Sequence, residues 1–538
     1  MKKRIIRLLA LLTALCLLCG CELREVNDSL SQSHKAASQP VHFQDMVYSR
    51  PDMEKLEYTL SIALTAAAGT NFDHTIQMLY DFYDVYDAFY TNYSLADIHY
   101  SADLTNTYWQ TESDFCAANS ARVDAALEEL YYALAKSPCL SQLESEEYFG
   151  PGFFDAYQGE NLWDAGFTAL MEEESRLVSR YYELRNQGSA YAPGSQAFYD
   201  ACGEELIRLL MDLILVRQDM ASWWGYDSYA QFATDFYHYR DYTLEASREY
   251  LHQVGLELSG LYRNLNESGF WDNAYQTCTE EDTYRYVQQM AQAMGGTVHK
   301  AFRLMEKAGL YDITYSPNKY ASSFEVYLTS YSEPYIFLCP GGDTADYLTF
   351  AHEFGHFCCD YASYGSYAGV DVLEIFSQGM EYLSLCYTED SGALARVKLA
   401  DSLCLYVEQS AYASFEIRMY DIPPGELTAQ ALTELYSQVA GEYGFESVGY
   451  DPREFVLINH FYTNPMYVLS YVVSNDAAMQ LYQLELQSPG AGLACLQDHL
   501  DTQEYYLLSF LAGANLESPF APGRLRSVRE LFEKQLFS

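Results

Sequence analysis

Five consecutive residues, His352-Glu353-Phe354-Gly355-His356, bring together the side chains that metal-assisted hydrolysis needs. On an α-helix, positions i and i+4 lie one turn apart on the same face. His352 and His356 can therefore turn ring nitrogens toward one ion while Glu353 sits beside it as a general base. A catalytic zinc usually takes three protein ligands and keeps a position for water, so a third donor must lie nearby. Glu374, 18 residues past His356, is the candidate. Helical spacing puts Glu374, Gln378 and Glu381 on one face, with Glu374 able to reach the ion and Glu381 able to support a ligand histidine. Asp371 is the expected N-cap of that helix. Cys359 continues the stripe of His352 and His356, but a full turn further along, which favours core packing over ligation.

The elements that position these groups are mostly helical. Apolar residues at three- and four-residue spacing predict helices at about 55–93, 108–136, 161–187, 196–221, 243–268, 280–308, 344–362, 371–388, 393–418, 427–442, 466–487 and 525–536. Alternating aromatic and aliphatic residues predict strands near 324–328 and 335–339. Gly150-Pro151-Gly152, Ala192-Pro193-Gly194 and Pro340-Gly341-Gly342 punctuate helical hairpins without marking a domain linker.

With these residues in place, the chain resembles the M3 peptidases, in particular the oligoendopeptidase F-like branch. That branch carries a His-Glu-Phe-Gly-His helix and a Glu-Ile-x-Ser-x-x-Met-Glu-Phe-Leu stretch, matched here by Glu374-Ile375-Phe376-Ser377-Gln378-Gly379-Met380-Glu381-Tyr382-Leu383. Tyr327-Leu328-Thr329-Ser330, Pro334-Tyr335-Ile336-Phe337-Leu338, Asn459-His460-Phe461-Tyr462 and Tyr467-Val468-Leu469-Ser470-Tyr471 resemble further family segments, and the likeness runs from about residue 90 to the C-terminus. Three departures stand out: a shorter stretch between His356 and Glu374, Leu469 in place of a tyrosine, and Ser322-Ser323-Phe324-Glu325 where glycines often precede the edge strand.

The resemblance implies a mainly α, two-lobed helical clamshell with a deep central channel and a small β-sheet at the cleft edge. The lobes are expected at 46–230 and 231–538, with the metal helices in the second. It implies one zinc per chain on His352, His356 and Glu374, Glu353 as base, and Glu381 behind the ligands. His460, Tyr467 and Tyr471 would act on the reacting carbonyl, and Phe324, Val326, Leu328 and Tyr462 would contact substrate. The implied activity is endopeptidase cleavage of short unstructured oligopeptides. Two other readings are a peptide-binding lipoprotein without turnover and an angiotensin-converting-enzyme-like carboxydipeptidase, which shares the metal geometry.

At the N-terminus, Met1-Lys2-Lys3-Arg4-Ile5-Ile6-Arg7 is a basic segment followed by an apolar core at 8–18, too short for the about 20 residues that span a bilayer. Residues 1–20 read as a lipoprotein signal peptide. Leu18-Cys19-Gly20-Cys21 looks like a lipobox with Cys21 as the lipidated residue, and 21–45 as a lipidated start and flexible tether. The protein is expected outside the cytoplasm, anchored to the bacterial cell membrane. A net charge of −44 excludes nucleic acid as a partner of the body of the chain. With 49% hydrophobic and 20% charged residues it has the composition of a large globular core. The ten cysteines beyond Cys21 are scattered and show no zinc-type spacing; most are expected as buried thiols.

Overall fold

The computed structural model describes residues 40–537 except 146, 160, 162, 189–190, 366–367, 390–391 and 503. The segment expected as a signal peptide, Cys21 and most of the expected tether lie outside the described residues. Among the described residues no helix is long and apolar enough to cross a membrane.

The N-terminal half is built from α1 (Met53–Ala67), α2 (Phe72–Ala102), α3 (Thr107–Leu134), α4 (Ala165–Gly188) and α5 (Glu204–Trp223). Side-chain caps start the first three: Asp52, Asn71 and Asn106 accept from first-turn amides. The run expected as one helix over 55–93 is thereby split, because Asn71 caps a new helix. Much of the tyrosine content goes into this half. Tyr83, Tyr86, Tyr90 and Tyr93 recur along α2 at helical spacing and are all buried.

The second half comprises α6 (Leu244–Glu267), α7 (Glu280–Met294), α8 (Gly296–Ala308), β1 (Tyr311–Asp312), β2 (Ser323–Leu328), β3 (Glu333–Leu338), α9 (Ala345–Ser363), α10 (Val370–Tyr387), α11 (Gly392–Met419), α12 (Ala429–Tyr443), α13 (Val468–Gln487) and α14 (Arg524–Leu536). The helix expected over 280–308 is two, since Gly295 and Gly296 both take positive φ, at 67° and 56°, and turn the chain between α7 and α8. Helices of both halves enclose a central cavity, and the small sheet lies at its edge, as the two-lobed clamshell expectation required.

The sheet order is β1-β3-β2, with β1 parallel and β2 antiparallel to β3. The Cys339 amide donates to the Ser322 carbonyl, and the register opposes Phe324 to Phe337. Alternation then makes Phe324/Phe337, Val326/Tyr335 and Leu328/Glu333 the hydrogen-bonded pairs. Pro334 faces Tyr327 at a pair that needs no amide donor. Ser323 and Glu325 consequently direct their backbone groups away from β3.

α9 packs on β2, β3 and α10, and α10 in turn packs on α13. The α9–α10 approach depends on Gly355. A Cβ there would lie 2.6 Å from the Ser377 Cα and 2.7 Å from the Phe376 carbonyl oxygen, both backbone atoms that cannot swing aside. Gly355→Ala should therefore destabilise the fold by roughly 1–3 kcal/mol and spread the two helices that carry His352, His356 and Glu374. Thermal unfolding together with divalent-metal titration checks this, with both stability and metal affinity expected to fall.

Candidate metal centre and active site

His352 and His356 stand one turn apart on α9, and α10 brings Glu374 up to them. The His352 Nε2 is 3.4 Å from the Glu374 Oε2, and the His356 Nε2 is 3.8 Å from the Glu374 Oε1. One ligand atom from each residue falls within a 4.8 Å group. Tetrahedral zinc with ligands at about 2.0–2.2 Å places them about 3.4 Å apart. Two imidazole nitrogens and one carboxylate oxygen at this spacing fit such an ion.

The ligands are oriented from behind. A carboxylate can only accept, so the 2.8 Å contact between the His352 Nδ1 and the Glu381 Oε1 puts the proton on Nδ1 and leaves Nε2 for the metal. Lys398 of α11, 2% exposed, donates from Nζ to the other Glu381 oxygen at 2.6 Å, with its ammonium 4.6 Å from the Tyr382 ring centroid. On Glu374, Ser377 donates to Oε2 at 2.9 Å and Tyr467 to Oε1 at 2.7 Å. Glu353 is buried beside the ligands, its carboxylate hydrogen-bonded by the Ser323 side chain. Burial pushes its pKa up to about 7, against the pull of His352.

Facing this group are His460, Tyr467 and Tyr471. The His460 ring stacks on Tyr467 with centroids 5.5 Å apart, and its Nε2 is 3.2 Å from the Tyr471 hydroxyl. Burial lowers His460 to about 4, so its imidazole is neutral. The Gln378 side chain donates to the Tyr471 carbonyl at 3.1 Å, which fastens α10 to α13. His352, Glu353, His356, Glu374, His460, Tyr467 and Tyr471 all line one cavity of about 350 Å³.

The sequence of residues 43–160 matches the family model for the peptidase M3 N-terminal domain. Among solved structures, the chain superposes on PZ peptidase A with a TM-score of 0.80 at 19% identity, covering 92% of this chain and 99% of that one. A protein assigned as oligoendopeptidase F gives 0.81 at 19%, covering 93% and 99%. Another with that assignment, from Bacillus anthracis str. Ames, gives 0.78 at 20%, covering 93% and 98%. No curated protein matches the sequence. The structural likeness, at such low identity, establishes the fold, and the family match is to residues 43–160. The chain shares the fold of these proteins and, over residues 43–160, matches the peptidase M3 N-terminal domain.

Three expected substrate contacts lie elsewhere. Tyr462 is fully buried, its ring stacked on Tyr181 with centroids 4.3 Å apart and its hydroxyl donating to the Leu206 carbonyl. Val326 and Leu328 point their side chains into the core from the bonded face of β2. Phe324 does line the cavity, braced by Phe337 at 4.7 Å between centroids. Asp371 is not the N-cap, a place taken by Gly369. Its buried carboxylate instead accepts from Tyr242 at 2.6 Å and from the Ser470 hydroxyl, tying α10 to α13. The ten cysteines are free thiols, and Cys359 is core.

Sequence reasoning missed the residues that hold the His460 loop. Arg217, on α5 and fully buried, donates to the carbonyls of Phe461 and Tyr462 at 2.6 and 2.7 Å, and pairs with Glu174. Arg240 donates to the Met466 carbonyl at 2.8 Å, while the Met466 amide donates to Glu416 at 2.7 Å. Met466 sits at a φ of 63° immediately before Tyr467, a conformation that needs such support. These residues are far apart in sequence and belong to no local motif. Lys398, 17 residues beyond Glu381, was equally hidden.

Replacing Lys398 with Met should leave Glu381 a buried carboxylate without its cation and loosen His352. Metal affinity is expected to fall roughly 10–100-fold, read by chelator competition, with Lys398→Arg retaining more of it than Met does.

Proposed function

We propose that this chain is a zinc-dependent endopeptidase that cuts short, unstructured oligopeptides. The observation that carries this reading is the convergence of His352, His356, Glu374 and Glu353 with His460, Tyr467 and Tyr471 on a single cavity. A zinc ion held by the first three would supply a water of lowered pKa and a Lewis acid for the scissile carbonyl. Glu353, adjacent to a ligand and buried, can take a proton from water and pass it to the departing amine. The neutral His460 and the Tyr471 hydroxyl can donate to the oxyanion, and Tyr467 could join them only by giving up its hydrogen bond to Glu374. Ser322, Ser323, Phe324 and Glu325 line the same cavity, so the outer edge of β2 can pair with an extended substrate backbone. A cavity closed in by helices takes an extended chain more readily than a folded domain.

Between endopeptidase and carboxydipeptidase, the wall chemistry favours the former. Sequential dipeptide release from a C-terminus requires a grip on the terminal carboxylate, and among the described residues no Lys or Arg lines the cavity.

Glu353→Gln should lower kcat on a quenched oligopeptide by roughly 10²–10⁴ with about one zinc still bound, because Gln keeps the shape but cannot accept the proton. Undiminished turnover, or loss of zinc in that variant, would overturn the role given to Glu353. Mass spectrometry of the wild-type products should find internal cuts.

We also propose that Cys21 carries a lipid that holds the protein on the outer face of the cytoplasmic membrane, supported by the basic start, the short apolar core and Leu18-Cys19-Gly20-Cys21. Cys21→Ser should abolish metabolic fatty-acid labelling, whereas Cys16→Ser and Cys19→Ser should not; unlabelled wild-type protein in the medium would show a simply secreted chain.

A further inference from the structure

The walls of the cavity carry charge of one sign. Nine Asp and Glu residues line it, with no Lys or Arg among the described residues. Glu353 and Glu374 belong to the reaction centre. Glu174 and Glu183 are paired with Arg217 and Arg180, neither of which reaches the lining. The remainder includes Asp97 of α2 and Asp114 of α3, on the side contributed by the N-terminal half.

Asp97 and Asp114 are close enough to repel one another, and Asp114 also feels Glu183. The Ser113 hydroxyl, a neutral donor, hydrogen-bonds Asp97. Burial pushes Asp97 up to about 7, with Asp114 adding to it, and burial likewise raises Asp114. Like charges gathered in a partly desolvated wall are unfavourable until a cation enters, and low-dielectric walls focus their field on the space between them. A second feature points independently to an occupant. The hydroxyls of Tyr229 and Tyr237 belong to rings under a tenth exposed on the same lining and meet no partner beyond each other, which leaves at least one donor of the pair unused. Buried hydroxyls in that condition normally meet a polar group, and the cavity is where one can arrive.

We propose that the cavity selects positively charged peptides, seating an ammonium or guanidinium group against Asp97 and Asp114 while the reaction centre acts on a bond further along the chain. This deepens the peptidase reading and rests on it. The cation can come from a Lys or Arg side chain or from the peptide's own N-terminal amine; the chemistry is shared.

The test uses the zinc-loaded protein and quenched peptides of one length and one central sequence. Their distal residues are Lys, norleucine or Glu, and a further norleucine peptide is N-acetylated. The Lys peptide should exceed the Glu peptide in kcat/KM by roughly ten- to a hundredfold, and added salt should narrow the gap. In Asp97→Asn/Asp114→Asn the ratio should collapse toward one. If that double variant fails to fold, Asp114→Asn alone, at the more exposed position, should lower the ratio. A larger loss from acetylation than the gain from Lys would assign the cation to the N-terminus, and the opposite order to a side chain. Equal kcat/KM for Lys and Glu peptides, or a ratio untouched by the wall variants, would overturn the proposal. Affinities of the same peptides for the Glu353→Gln protein separate the two ideas. Peptides ranked by charge but cut by no form of the protein would overturn the peptidase reading alone, whereas cleavage with equal affinities would overturn charge selection alone.

Discussion

Glu374 is a carboxylate with almost no access to water, 1% exposed on a helix packed between α9 and α13. A buried carboxylate is tolerable only where donors or cations meet both of its oxygens. Here Ser377 and Tyr467 donate to it and the imidazoles of His352 and His356 flank it. That demand dictates the arrangement of three helices. α10 has to lie against α9 closely enough for Gly355 to be the only size of residue that fits, and α13 has to deliver Tyr467 from the opposite side. Exclusion of water then strengthens each electrostatic contact within the group.

The same logic extends outward through buried charges that no surface role would explain. Arg240 spans the Met466 carbonyl and Ser470 while its other partner, Asp371, sits under the start of α10. Glu416 holds the Met466 amide. Together they keep a left-handed methionine in place, a conformation that costs a non-glycine residue about 1–2 kcal/mol, and thereby aim the first turn of α13 at the reaction centre. Arg217 does the corresponding work for the carbonyls that follow His460, from a helix of the N-terminal half. Removing any one partner would leave another buried charge unmatched, which is why such networks act as rigid units.

The legible part of this design was the part whose spacing is set by a single helix. His352, Glu353 and His356 declare themselves because 3.6-residue periodicity forces them onto one face, and the Glu374–Glu381 offset reads the same way. Helix positions followed from apolar periodicity; the errors came where one residue overrules the pattern, as Asn71 does by capping and Gly295 and Gly296 do by turning. Contacts between distant elements were not legible. Lys398, Arg217, Arg240 and Glu416 look like ordinary helical charges until tertiary packing buries them. Tyr462 failed for the converse reason: lying two residues from His460, it resembles a site residue, yet a short helical turn sends its ring into the core and leaves only its carbonyl facing Arg217. On β2 the alternation was read correctly, but which face met the cavity depended on how β3 and α9 pack beneath it.

Cations and carboxylates are also sorted by depth. Lys398, Arg217 and Arg240 sit behind the cavity wall, where each neutralises an acid and fixes a backbone or a ligand, while the polar groups that reach the lining are acids, hydroxyls, amides and imidazoles. A brace has to be buried to hold its geometry, whereas a recognition group has to face the space a ligand enters. The helices divide these tasks. α9, α10 and α13 hold the groups suited to chemistry at a metal, and the proposed charge-reading wall comes from α2 and α3, elements that supply none of the candidate metal ligands. Substitutions along α2 and α3 can therefore alter which chains enter the cavity while the tightly packed α9–α10 pair, in which Gly355 leaves no room for change, stays as it is.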